Sequence, residues 1–238
     1  VSGSVVAPVL PTIQYDFDIS PAQIGWVMTA FSLPGFLFAP FIGLAADRYG
    51  RRAVIVPMLI VYGVAGGLTF FAWDFETLLI MRFIAGFGSS AASFLSITLV
   101  GDLFQRENRA AVLGYRLAAG QSANIALPPI AGAVAVFGWQ YPFLIFILAI
   151  PVGLFALKVM EATPRAPAGS LATYLGEVWR ALINPRIAGL LTVAPTMMIV
   201  GQGAVGTYLP IFMAGRFGAT PLVIGLVFSA RVVAGVTV

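Results

Sequence analysis

The chain has 238 residues, 60% of them hydrophobic and 9% charged, with a formal net charge of +4, whereas a soluble domain carries about 25% charged residues. It holds no cysteine and no histidine, which excludes a disulfide framework, thiol chemistry, and the usual zinc ligand and general base. Apolar runs of the roughly 20 residues needed to cross about 30 Å of hydrocarbon recur along it, and the ten-residue alternation of an outer-membrane barrel is missing. The fold class is therefore all-α, a polytopic membrane protein.

In chain order, Val1–Ile13 reads as the end of a first span, too short to cross. Gln23–Ala46 is the second span, followed by "DRYGRR" as a tight turn, and Ala53–Ala72 is the third. Leu78–Val100 is the fourth, with "GDLFQRENR" as a loop, then Ala110–Phe137 as the fifth and Pro142–Met160 as the sixth. Residues 161–185 form a long polar connector with an amphipathic segment. Ile187–Met213 and Pro221–Val238 are spans seven and eight. The units are thus a six-helix bundle over 1–160, the connector over 161–185, and the start of a second bundle over 186–238. The chain opens without methionine, inside an apolar run, so the expectation is a piece of a longer protein.

Basic residues set the orientation. The loops after spans two, four and six hold Arg48, Arg51, Arg52, Arg106, Arg109, Lys158, Arg165, Arg180 and Arg186. The opposite loops hold Arg216 alone, with Asp16, Asp18, Asp74 and Glu76. The first set is cytoplasmic by the positive-inside rule, so the basic balance reports topology and not nucleic-acid binding. "PAQIGWV" at 21–27 and "PLVIGLV" at 221–227 share a register at an offset of 200. Spans one and two therefore look like spans seven and eight, as in parallel transporter halves.

"GLAADRYGRR", residues 43–52, is the charged joint between spans two and three. Asp47 stands at a helix C-terminus and Arg51 and Arg52 at a helix N-terminus, each against the dipole. Asp47 therefore needs a partner, either a neighbouring arginine or the N-terminus of another helix. Gly50 is expected to supply a positive φ, and Gly43 a close helix approach. Asp102, at the end of span four, again stands against the dipole, and as a simple loop acid it would pair with Arg106 or Arg109. Arg82, Arg116 and Arg231 lie inside spans, where ionisable groups are functional candidates. Arg82 has snorkelling or Glu76 as alternatives, and Arg116 has snorkelling. Arg231 lies near the midplane and is expected to face a cavity. Gln121, Asn124 and Gln202 either face substrate or bond between helices. The hydroxyls of span four read as close packing.

These segments together resemble the major facilitator superfamily. "GLAADRYGRR" resembles its signature between spans two and three. "RFIAGFGSS", "RENRAAVLGY" and "FGWQYPFLIF" resemble its elements in span four and entering spans five and six. The resemblance implies a twelve-span fold, of which about eight spans are present. It makes the charged joint, with Asp102, a cytoplasmic gating loop, and gives Arg82 a cavity-facing role in coupling. In the drug:proton antiporter branch, span five carries a glycine-proline pattern. Here "NIALPPIAGA" keeps Pro129 and Gly132, but Asn124, Pro128 and Ala133 replace glycines. No acid lies mid-span, and Asp102 is the one carboxylate near the membrane.

The function implied is secondary transport by alternating access, with proton-coupled efflux of amphipathic small molecules as the leading reading. Uptake of a small organic anion, or a non-transporting receptor, are the alternatives. An enzyme is not expected, and neither is a cofactor or a metal. No Walker A sequence supports ATP-driven transport. The expected partners are the bilayer, a small-molecule substrate and the proton, with the protein a monomer in a bacterial inner membrane.

Overall fold

The computed structural model describes residues 2–160, 176, 180, 183 and 205–236. Helix limits follow capping chemistry more closely than hydropathy. The second span begins at Pro21 because Ser20, in extended geometry, accepts the Gln23 N–H at 3.3 Å, while Gln23 Oε1 accepts the Ser20 N–H at 2.9 Å. That reciprocal pair satisfies two otherwise orphaned donors, and Pro21 gives up an amide that no carbonyl could reach.

The helix then runs 29 residues to Tyr49, beyond the break in hydropathy at Asp47. The third span starts at Arg51 and runs to Leu68, extended by a tighter turn over Thr69–Phe71. The expected turn "DRYGRR" is thus a single residue, Gly50, at φ 91° and ψ 147°, a conformation that a side chain disfavours. The loop expected over 101–109 likewise shrinks to Phe104 and Gln105, between Phe75–Leu103 and Arg106–Val134. Charges mark the membrane surface, but water there still serves the backbone, so the helices continue through them.

The first span is Ser2–Val6, Ala7–Val9 and Leu10–Asp16, its regularity interrupted near Pro8 and Pro11. The sixth joins a tight helix over Tyr141–Leu148 to Ala149–Val159. The seventh is described from 205, with Leu209–Phe217 its regular part, and the eighth is Pro221–Val236. Among the described residues, Pro21–Tyr49, Arg51–Phe71, Phe75–Leu103 and Tyr141–Val159 are long and apolar enough to cross a membrane. The fifth span has the length, but its arginines, Gln121 and Asn124 dilute its apolar character. The expected connector and amphipathic segment lie almost wholly outside the described residues.

The first span sits at the centre of the packing. Val5, Val6, Val9, Leu10 and Ile13 are fully buried against Ile24, Leu78, Ala131 and Phe143, which come from spans two, four, five and six. Spans two and four meet at Gly86, whose Cα faces the Phe31 carbonyl so closely that a Cβ would collide with it. A second core, with Ile42, Ala46, Ile55 and Leu95, joins spans two, three and four beside the charged joint. A third, Ala7 with Ile224 and Phe228, seats span eight on span one. Small residues allow this approach because lipid supplies no hydrophobic drive between helices.

Candidate functional site

Spans five and eight cross through two reciprocal glycine contacts. Gly132 faces the Pro221 carbonyl and Gly225 faces the Pro128 carbonyl. Pro129 has no N–H to give the Ile125 carbonyl one turn back. The Ser229 hydroxyl, on span eight, donates to that carbonyl instead and also to Gly225 O at 3.2 Å. A backbone group freed by proline is thereby satisfied from a neighbouring helix, as an apolar medium requires. The proline pair in "NIALPPIAGA" thus serves the crossing with span eight.

Spans one, five, seven and eight line a cavity of about 320 Å³, with Ser4, Gln121, Asn124, Gly206, Phe228 and Arg231 among its residues. Asn124 lies ten residues before Val134 and Arg231 ten residues after Pro221, which puts each about 15 Å from its helix end. Ser4 Oγ donates to Asn124 Oδ1 at 2.6 Å, and Asn124 Nδ2 donates to Gln121 Oε1 at 3.2 Å. Arg231 is exposed to the cavity, and among the described residues no carboxylate pairs with it. Gln121, Asn124 and Arg231 come together here. Gln202 lies outside the described residues.

Arg82 is placed differently from the cavity-facing expectation. It is 0% exposed. Its guanidinium carbon stands 4.3 Å from the Phe31 ring centroid and 5.9 Å from that of Phe143, and Nη1 donates to Ser2 Oγ at 3.1 Å. Nε and Nη2 have no hydrogen-bond partner among the described residues, and Glu76 does not pair with it. Aromatic faces take the place of a counter-charge. Snorkelling fails as a description because the ring of Phe143 and the first span close over the side chain. Arg116 does not simply reach for the surface either. Its Nε donates to Ser96 Oγ at 3.0 Å and its Nη2 to Ser93 O at 3.4 Å, tying span five to span four.

At the joint between spans two and three, Arg51 stands between two acids. It lies 3.9 Å from Asp47, one turn back, and in direct contact with Asp102 through Nε. Asp47 therefore has the neighbouring arginine as its partner. Asp102 joins the cluster and does not pair with Arg106 or Arg109; Arg109 donates to Phe104 O at 2.9 Å. Arg52 Nη2 donates to the Leu157 carbonyl in the last turn of span six, where the dipole favours a cation. Arg48 lies 5.7 Å from the Tyr49 ring centroid, and Gly43 is half-buried. The joint thus ties spans two, three, four and six together.

Sequence reading missed Ser2, Ser4 and Ser229. A serine in a helix carries no signal of its target until the neighbouring helix is known, although the free carbonyl at Ile125 follows from Pro129 alone.

A sequence profile describing the Major Facilitator Superfamily matches residues 1–238. A bacillibactin exporter of Bacillus subtilis is 27% identical over 60% of this chain and 37% of its own. A hexuronate transporter of the same organism is 29% identical over 73% and 43%, so the chain spans about two fifths of these curated relatives. In fold, it matches a bacterial homologue of the human lysosomal transporter Spinster, crystallised inward-facing and unoccupied, with a TM-score of 0.73 at 19% identity over 96% of this chain and 55% of that one. With the whole-chain profile match beside that fold, the chain belongs to the Major Facilitator Superfamily.

Proposed function

We propose that the protein is a secondary active transporter that exports amphipathic small molecules by alternating access, driven by a proton gradient, as a monomer in a bacterial inner membrane. The observation that carries this reading is the cavity shared between spans one and five and span eight, which belong to different repeats of the sequence. A mid-depth site on the seam between repeats is what rocking halves need in order to open it to either side in turn. The Arg51 cluster with Asp47 and Asp102 supports a cytoplasmic gate, because surface ion pairs can part and re-form at little net cost. An exporter among the relatives favours the outward direction.

Everted vesicles containing the full-length protein test this reading. A lipophilic dye should accumulate when a proton gradient is imposed and leak back when an uncoupler is added. Accumulation that is indifferent to the uncoupler would remove proton coupling. Dye entry no faster than in vesicles without the protein would remove export. Uptake of a small organic anion is the second reading, favoured by the cation at Arg231.

A further inference from the structure

The hydrogen bonds around the cavity run in one direction and leave donors, not acceptors, at its mouth. The Ser4 proton is committed to Asn124 Oδ1, and an Asn124 amide proton to Gln121 Oε1. The chain ends on the Gln121 amide NH₂, carried by an exposed side chain. Arg231 adds the donors of a guanidinium, which has five N–H bonds and no acceptor. Among the described residues, no Asp or Glu lines the cavity. The lining also includes Ala7, Phe228 and Val232, of which Ala7 and Phe228 are buried where span eight packs on span one, so the floor beside the donors is apolar. The volume of about 320 Å³ lies at the small end of ligand pockets, about 300–1,000 Å³, and suits one or two fused rings.

We infer that this cavity selects amphipathic organic anions. One carboxylate is received by Arg231 and the Gln121 amide, its ring system lies against the apolar part of the lining, and organic cations of the same shape are rejected. A planar carboxylate can accept two parallel N–H bonds from a guanidinium, whereas an ammonium in the same place meets a like charge and no acceptor of full charge. Because Arg231 sits on span eight and Gln121 on span five, an anion between them also links the two repeats. Ser4 and Asn124 act as positioning residues, since their bonds turn the Gln121 amide toward the ligand. The inference names the substrate class of the proposed transporter and rests on that reading for movement, while binding stands on the cavity alone.

The test uses three probes of one shape, 2-naphthoate, 2-naphthylmethylammonium and 2-naphthamide, with the full-length protein both purified and in everted vesicles. Naphthoate should bind purified protein at least about tenfold tighter than the ammonium, and Arg231→Gln should weaken it about ten- to a hundredfold. Naphthamide binding by that variant should stay within about twofold, which also reports an intact cavity. Arg231→Lys should recover part of the naphthoate affinity. Ammonium binding that matches or exceeds naphthoate binding, or naphthoate affinity unchanged in Arg231→Gln, overturns the inference. Arg231-dependent naphthoate binding without gradient-driven flux of any probe would support the anion site and sink the transport reading. Gradient-driven flux of the ammonium with no naphthoate binding would do the reverse.

Discussion

Arg82 and Arg231 are both guanidinium groups within apolar helices, and their surroundings differ in kind. Arg82 is fully buried among Phe31, Phe143 and Ser2. Arg231 stands on a seam, beside a cavity whose other polar groups are already oriented by one another. An arginine covered by aromatic rings works as a piece of packing as much as a charge, because its planar face stacks and its stem fills volume. An arginine beside open space with no acid keeps its charge for whatever enters. What differs is whether neighbouring helices close over the side chain.

Truncation should separate the two most strongly. Arg82→Ala should destabilise the protein by about 2–5 kcal/mol, the range for emptying a long core side chain, seen as a lowered melting temperature in detergent. Arg231→Ala should stay within about 0.5 kcal/mol of wild type, as exposed sites do. Arg82→Met decides whether volume or charge matters at the first site. Buried charge replaced by an apolar group of like size is often neutral, so a methionine as damaging as alanine would mean that the cation itself is needed there.

The seam around Arg231 can be probed through the repeat. Gly25 and Gly225 occupy equivalent positions, 200 residues apart, yet among the described residues a Cβ at 25 would meet only Thr207, at 4.0 Å, while one at 225 would strike the Pro128 backbone. Gly225→Ala should therefore cost about 1–3 kcal/mol, as overpacking does, and should reduce flux. Gly25→Ala should be neutral or stabilising by up to about 1 kcal/mol, the helix propensity difference. Equal effects at both positions would mean that spans five and eight do not cross where Gly225 meets Pro128.

Ser229→Ala acts on the same seam more gently. It leaves the Ile125 carbonyl, freed by Pro129, without its donor. Interhelical hydrogen bonds in membranes average about 0.6 kcal/mol, so the loss should be of that order, read as a small fall in melting temperature. The double variant Ser229→Ala with Pro129→Ala should recover most of it, because an alanine amide can serve Ile125 from within the helix.

Much of this was legible in the residues, and what was not has a physical reason. Positive-inside charge, the register between 21–27 and 221–227, and the signature at 43–52 led to the family now shown by the whole-chain match. The positive φ at Gly50 followed from the tightness of the turn. Helix ends did not follow, because hydropathy locates the bilayer surface while Ser20, Asp74 and Gly50 locate the ends of the helices. The surroundings of Arg82 were also hidden. Nothing in "MRFIAG" tells that Phe31, 51 residues earlier, and Phe143 will cover it. Gln121 and Asn124 could be read as polar groups in a span, but their common chain with Ser4 depends on how span one lies against span five.

The smallest effect lies at the caps of the two helices that carry these arginines. The span with Arg82 begins at Asp74, whose Oδ1 accepts the Thr77 N–H at 2.7 Å. The span with Arg231 begins after Thr220, whose hydroxyl accepts the Val223 N–H at 3.4 Å. Hydrogen bonding by the Thr77 side chain, then by its backbone amide, holds the exposed Asp74 carboxyl below the ordinary carboxylate range. A carboxylate with a depressed folded-state pKa stabilises the protein above its unfolded value, and that contribution disappears as the pH falls through the folded one. Asp74→Ala should therefore lower the melting temperature slightly at neutral pH, and the gap to wild type should narrow as the pH drops below about 4. Thr220→Ala removes a neutral cap, so its gap should stay constant over the same range. Asp74→Asn keeps an acceptor for the Thr77 amide and should lose only the pH-dependent part. A pH-independent gap for Asp74→Ala would mean that its charge contributes nothing at this helix N-terminus, and the two caps would then differ in residue but not in physics.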